Sequence, residues 1–369
     1  MGQTIRVLLV VSSPLVLKAL ERMVGGSSDV EVVGVARRGR EALEMMSTLR
    51  PQLLCIDDAM PVMDGLELTR EVMRAQPCPI LVLSSSQEME RRLALLEAGA
   101  LDCIERPDMG AAPDTANAQQ FVTRLKMISR VPVIGRRPSG QPIVASAPSP
   151  SKPMRALSAL ARPILTSARA TLPTPKTGNR IVAIGASTGG PIALMTILSA
   201  LPANFPHPIM CVQHVSRGFL AGLVSWLDGG CNLRVAVAEA GQRANAGTVL
   251  FPPEDHHMEV GTNGRIRLTT GPPRDGHRPS ATVLFESVAQ SYGSRATAVL
   301  LTGMGADGAS GLCTVHEAGG DTIAQDEASC VVFGMPRVAI ERGGARHILA
   351  PEDITRRLLL LCQNREKSV

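Results

Sequence analysis

Two parts of this 369-residue chain alternate short apolar runs with amphipathic segments, and the stretch between them does not. Over residues 5 to 129 the apolar runs are IRVLLVV, VEVVGVA, LLCID, PILVLSS and the short DCI. The segments between them place apolar residues at helical spacing, and the stripe in MERRLALLEAGA reads most simply as core. Five strand–helix units in succession predict a doubly wound parallel sheet of flavodoxin type. Beyond residue 180 the strand-like runs resume as IVAIGA, PIMCVQ and TAVLL, and each leads into a polar or glycine-rich turn. These predict a second parallel α/β sheet, with polar groups gathered outside the carboxyl ends of its strands.

Residues 131 to 180 break the pattern. They hold nine Pro, six Ser and eight Lys or Arg, with no acid. Such a segment buries too little apolar surface to offset its ordering entropy, so it reads as a tether, with MRALSALARPIL (154 to 165) able to form a short helix. The formal net charge is +5 and this segment alone carries +8, so the basic balance belongs to the tether and the remainder is net acidic. The resulting division is 1–130, 131–180 and 181–369, in keeping with a length beyond what one core organises.

Composition removes several function classes. Aromatics make up 2% of the chain, with one Trp and one Tyr, which leaves almost nothing to stack on nucleobases, so no nucleic acid is expected. No apolar run approaches the roughly 18 residues of a membrane span, and no signal-peptide pattern opens the chain. A cytoplasmic protein without membrane insertion is expected. The eight Cys form no C-x-x-C pair and several sit in apolar runs, so neither a disulfide nor a zinc framework is implied.

The chemistry concentrates in IVAIGASTGGP, residues 181 to 191. It reads as strand, sharp turn and helix, which lifts Ser187 out at the end of the strand between permissive glycines. A serine needs a base and the base an orienting group. His214 directly follows PIMCVQ, and Asp307 lies in the glycine turn after TAVLL. Two bland readings stand beside this one. A glycine turn at a helix N-terminus also cradles phosphates or a dinucleotide, although here the next strand ends in Gln213-His214 rather than in the acid a ribose requires. Asp307 could also cap the helix that follows it. His256 and His257 are adjacent and point to opposite faces of an extended segment, so they cannot chelate one ion together. Ser280 is a candidate cap for ATVLFESVAQ, and His277 and Arg278 could face the cleft without being assigned catalysis.

Five blocks in order carry a resemblance: IVAIGASTGGP, VQHVSRGF (212 to 219), GHRPSATVLF (276 to 285), LLTGMGADGASGL (300 to 312) and AQDEASCVVFGMP (324 to 336). Together they resemble the catalytic domain of the chemotaxis response-regulator protein-glutamate methylesterases, over essentially all of residues 181 to 362. The fold implied is a flavodoxin-like receiver domain joined by a linker to a doubly wound parallel-sheet methylesterase domain. The function implied is hydrolysis of glutamate methyl esters on methyl-accepting chemoreceptors, with deamidation of receptor glutamines as a second activity. Ser187, His214 and Asp307 would form the catalytic triad, and the backbone N–H groups of Thr188 and Met304 would receive the oxyanion. No metal or organic cofactor is expected for catalysis. A nicotinamide-dependent oxidoreductase and a non-catalytic signalling scaffold are the alternatives.

IDDAMPVMDGLEL, residues 56 to 68, resembles the phosphoacceptor segment of two-component receivers, with Asp57 at the acceptor position, Ser84 at the hydroxyl position and a chemotaxis histidine kinase as the implied partner. Receivers hold Mg²⁺ with an acidic pair after the first strand, where this chain has Val11 and Ser12. Their lysine after the fifth strand is here Arg106. The expectation is a degenerate receiver with a doubtful Mg²⁺ site, little or no phosphorylation of Asp57, and a docking or inhibitory role.

Overall fold

The computed structural model describes residues 4–84, 89–106, 115–131, 133–136, 142–144, 180–215 and 217–363. The possible helix at 154 to 165 lies outside them. The first unit runs β1 (Ile5–Val10), α1 (Pro14–Val24), β2 (Val30–Ala36), α2 (Gly39–Leu49), β3 (Leu53–Asp57), α3 (Gly65–Ala75), β4 (Ile80–Ser84), α4 (Met89–Glu97), β5 (Asp102–Glu105) and α5 (Thr115–Ile128). Its five strands are ordered β2-β1-β3-β4-β5, and every pair is parallel, the doubly wound sheet expected from the sequence. The alternation is visible in the packing. Val7, Leu9, Cys55 and Leu81 pack with Leu20 and Leu125 on one face, while Leu8, Val10, Ile56 and Val82 pack with Met46, Leu68 and Leu95 on the other. Ser13 caps α1 and Asp64 caps α3 through side-chain oxygens, which satisfies N–H groups that a helix start leaves without partners.

Two short strands within the expected tether, β6 (Ile134–Arg136) and β7 (Pro142–Val144), pair antiparallel. The second unit follows as β8 (Ile181–Ala186), α6 (Gly190–Ser199), β9 (Ile209–Gln213), α7 (Leu220–Gly230), β10 (Arg234–Val237), β11 (Thr248–Phe251), β12 (His257–Val260), β13 (Ile266–Thr269), α8 (Ala281–Tyr292), β14 (Ala296–Leu300), α9 (Ala309–Glu317), β15 (Asp321–Gln325), α10 (Met335–Glu341), β16 (His347–Leu349) and α11 (Pro351–Gln363). Its main sheet has seven parallel strands in the order β10-β11-β9-β8-β14-β15-β16, and β12–β13 form a separate antiparallel hairpin. All residues of β8, β9, β14 and β15 are buried, as expected of parallel strands covered on both faces. On one face Val182, Ile184 and Cys211 meet Leu194, Leu223 and Leu358. On the other, Ala183, Met210 and Leu300 meet Phe285, Leu312 and Met335. The order reverses at β8, with β9 on one side and β14 on the other, so the turns after these three strands open into one crevice.

No helix among the described residues is long and apolar enough to cross a membrane. Cys55, Cys78, Cys103 and Cys211 are free and buried.

Candidate active site

Ser187 and His214 directly follow β8 and β9, and Asp307 lies in the loop between β14 and α9, so all three stand beyond adjacent central strands. The turn bearing Ser187 is held by its own backbone: its N–H donates to Thr302 O at 3.0 Å, and its carbonyl accepts from Gly190 N and from Gln213 Nε2, each at 2.8 Å. Gly189, at φ +79, reverses the chain before α6, in the left-handed region that an L side chain rarely adopts. Gly303 permits the close approach of the β14 loop, since a Cβ there would lie 2.7 Å from Ser187 Cβ and 2.3 Å from Met335 Sδ. Thr302 ties the two turns together, donating to Thr188 O at 2.9 Å while its N–H donates to Gln325 Oε1 at 2.8 Å. Gln213 was marked in the sequence only by the absence of a ribose acid, and Thr302 and Gln325 were not singled out; all three are buried polar residues at or just past the end of an apolar strand.

Asp307 is fully buried and its carboxylate accepts four hydrogen bonds. Oδ1 receives the Ser280 hydroxyl at 2.6 Å and Thr282 N at 3.0 Å, and Oδ2 receives Ala281 N at 2.7 Å and lies 2.8 Å from His214 Nε2. Burial opposes the charge, but His214, Ser280 and the N–H of Ala281 outweigh it and hold the carboxyl well below the usual carboxylate range. Asp307 therefore caps α8, and the helix that directly follows it, α9, is capped by Gly308 instead. Because an ionised carboxylate only accepts, Nε2 of His214 carries the proton and Nδ1 carries the lone pair. That Nδ1 is buried and has no partner among the described residues. Ser187 and His214 line one cavity of about 340 Å³.

The oxyanion candidates occupy matching places. Thr188 precedes the start of α6, and Met304 follows the Gly303 that abuts Ser187. Among the described residues neither N–H donates to a backbone carbonyl, so both remain able to meet a developing charge.

His277, not assigned catalysis from the sequence, stacks its ring on that of His214 with centroids 3.9 Å apart and planes 5° from parallel. His214, His277 and Asp307 have the residue types of a metal site. Their ligand atoms lie within 4.8 Å of one another, but the two rings are 5° from parallel, so their in-plane lone pairs lie in separate planes that do not meet near the site, and one nitrogen of each ring already serves Asp307 or Asp275 O; the trio does not converge on an ion. His256 and His257 also stay apart, with His256 Nδ1 on Glu254 O and His257 Nδ1 accepting from Ser280 N. Arg278 anchors to Thr270 O and Gly271 O.

The receiver-like unit forms the other wall of the cavity, through Arg92, Leu93, Leu96, Asp102, Cys103 and Arg124. The Thr188 hydroxyl donates to Asp102 Oδ2 at 3.3 Å, and the Arg92 guanidinium lies 3.6 Å from the Phe219 ring centroid. The α4 stripe is thus not core alone: Leu95 is internal, while Arg92 and Leu93 meet the second unit and Arg91 turns to the acid pocket.

In that pocket Asp57 ends β3 and is 1% exposed. Arg106 Nε donates to Asp57 Oδ1 at 2.8 Å, and Arg91 grips Asp58 at 2.7 and 3.1 Å and Asp64 at 2.9 Å. Burial pushes the Asp57 carboxyl above its ordinary range, and Arg106 only partly offsets this. Val11 is buried apolar surface where a receiver's acid would stand. Mg²⁺ requires several hard oxygen donors in near-octahedral array. Here one oxygen, Asp57 Oδ2, is without a partner among the described residues, Arg106 occupies Asp57 Oδ1 and Arg91 occupies the neighbouring Asp58, and the residues do not fit the ion.

Comparison with known proteins agrees with this architecture. The family model described as CheB methylesterase matches residues 182–358, and that of the response regulator receiver domain matches residues 7–111. The chain is 40% identical to protein-glutamate methylesterase/protein-glutamine glutaminase 1 of Syntrophus aciditrophicus, over 97% of this chain and 98% of that one. It is 39% identical to protein-glutamate methylesterase/protein-glutamine glutaminase 4 of Myxococcus xanthus, over 96% of each. The crystal structure of the Thermotoga maritima CheB methylesterase catalytic domain is 40% identical, covers 50% of this chain and all of that one, and has a TM-score of 0.49. The chain therefore belongs to the CheB methylesterase family, in the form that carries a response regulator receiver domain ahead of the methylesterase domain.

Proposed function

We propose that this protein is a serine hydrolase that removes methyl esters from glutamate side chains of chemoreceptors and, by the same acyl chemistry, deamidates receptor glutamines. Its relatives are named for both activities. The observation that carries the reading is the His214 imidazole, which is paired through Nε2 to an ionised Asp307 and left with a buried Nδ1 that has no partner among the described residues, in the cavity of Ser187.

Ser187 Oγ attacks the ester carbonyl as His214 Nδ1 takes its proton, and the imidazolium is stabilised by Asp307, which keeps its charge. The carbonyl oxygen becomes an oxyanion, met by the N–H groups of Thr188, near the positive end of α6, and of Met304. Collapse expels methoxide, which leaves as methanol with the proton held by His214. Water then repeats the sequence on the acyl-enzyme and releases the glutamate carboxylate. An amide expels ammonia in the same way. Every proton in this scheme moves through His214, and no metal or organic cofactor is needed. The nicotinamide alternative lacks its ribose acid, because β9 ends in Gln213 with His214 next to it. A pure scaffold would have no use for an ionised carboxylate aligned on a histidine in the same cavity as the Ser187 turn.

The reading also includes a histidine kinase as a partner of the receiver, and a receiver that acts through its cover over the Ser187 cavity rather than through metal-assisted phosphorylation. Incubating the full chain with methylated receptor membranes should release methanol in step with new glutamate carboxylate. Membranes that yield no methanol above a protein-free control would refute the proposal.

A further inference from the structure

His277 lies on a loop with little freedom to move. Reciprocal backbone bonds join Arg274 and His277 at 3.0 and 2.9 Å, with Asp275 and Gly276 between them at φ +52 and +81. Next in sequence, Arg278 is anchored to the carbonyls of Thr270 and Gly271. Nδ1 of His277 lies 2.9 Å from Asp275 O, and since a carbonyl only accepts, that nitrogen carries the proton and a neutral ring has its lone pair at Nε2. Burial, followed by the neighbouring His214, holds the His277 ring below its ordinary pKa and so favours the neutral form.

This neutral ring lies flat against the imidazole that takes the Ser187 proton during attack. An aromatic face attracts a cation more strongly than a neutral ring, so the stack is worth more in the transition state than in the ground state. It also blocks rotation of His214 out of the plane in which Nε2 meets Asp307.

We propose that His277 is a positioning residue of the esterase, its ring face fixing the plane of His214 and stabilising the imidazolium formed during acyl transfer. The proposal rests on the reading of His214 as the base. A group that acts on the transition state raises kcat and leaves KM alone.

The charged groups around the pair are Asp307 and Asp275 on its own side, with Arg217, Glu254, Asp255 and Arg278 along the adjoining wall. From the receiver side come Arg92, Asp102 and Arg124. All are common to the variants compared here, so differences between those variants report the ring. His277→Phe keeps a planar face without titration, whereas His277→Leu and His277→Met fill the space without a π system. Methanol release from methylated receptor membranes should be about tenfold faster in kcat for Phe than for Leu or Met, at equal KM. The acid limb of kcat/KM should lie about one pH unit higher for Phe, because a stabilised cation titrates higher. Unfolding midpoints identify any variant that fails to fold, and two ring-free variants guard against losing one. Equal kcat and equal acid limbs in Phe, Leu and Met, or a difference confined to KM, would overturn the proposal. Ser187→Ala run in parallel separates the two levels: if it is inactive, a null result falls on His277 alone, and if it is active, the esterase reading itself fails.

Discussion

Asp307→Asn should cripple turnover while leaving the protein folded, and the structure sets both sizes. The carboxylate accepts from Ser280, Ala281, Thr282 and His214 at 2.6 to 3.0 Å, and an amide has only one accepting oxygen. With the NH₂ in the place of Oδ2, it faces His214 Nε2, which must then accept, so the proton moves to Nδ1 and the lone pair that takes the serine proton is lost. With the NH₂ in the place of Oδ1, the tautomer survives but the charge opposite the imidazolium is gone. Loss of the carboxylate in such triads costs on the order of 10⁴ in kcat, about 5 kcal/mol of barrier. In either orientation one N–H of α8, from Ala281 or Thr282, faces a donor, which costs about 1–3 kcal/mol of stability. The Asp307 carboxyl is held below its unfolded value, so its stabilisation is complete above about pH 4 and is lost as pH falls toward the folded value. The variant should therefore lose less stability than the wild type on acidification below pH 4. Methanol release against pH and denaturant melts at pH 7 and pH 3 measure these effects. A kcat loss below tenfold, or additivity with Ser187→Ala in the double variant, would refute the reasoning.

Gly303→Ala should abolish most esterase activity and lower the melting temperature, because the new methyl would sit 2.7 Å from Ser187 Cβ with Met335 Sδ on its other side; a crystal structure or activity assay showing an undisturbed Ser187 would contradict this. Incubation with a small-molecule phosphodonor and Mg²⁺ should leave Asp57 unmodified by intact-mass spectrometry, since Arg106 and Arg91 hold the carboxylates that would bind the ion; stoichiometric phosphoryl-Asp57 with a rise in methanol release would overturn it. A fragment from residue 180 onward should hydrolyse receptor esters at least as fast as the full chain, because it uncovers the cavity wall formed by Arg92, Leu93 and Asp102; an inactive but folded fragment would count against a covering role.

The strands were legible because parallel strands buried on both faces leave continuous apolar runs, and Ser187 and His214 were legible as the first residues past two of them, while Asp307 was marked by the glycine turn that follows the third. Ser187, His214 and Asp307 fall on adjacent strands, which the chain order does not specify but the crevice rule for parallel sheets anticipates. The cap role offered for Asp307 pointed to the helix after it, while its carboxylate accepts from the first N–H groups of α8, because capping across 25 to 27 residues leaves no local pattern. His277 escaped for a related reason: its loop has no strand or helix period, and the stack on His214 spans 63 positions of sequence. Val11, Ser12 and Arg106 were legible as departures from a receiver, but the grip of Arg91 on Asp58 was hidden in an ordinary amphipathic helix.

The most direct test of the account is methanol release from methylated receptor membranes by the full chain carrying Ser187→Ala, with the wild type alongside. The account predicts a folded protein of unchanged melting temperature whose methanol release falls to the uncatalysed level or within about 10³–10⁴ of it, the residue left to oxyanion donors and binding. Release at the wild-type rate would mean that a group other than Ser187 attacks the ester.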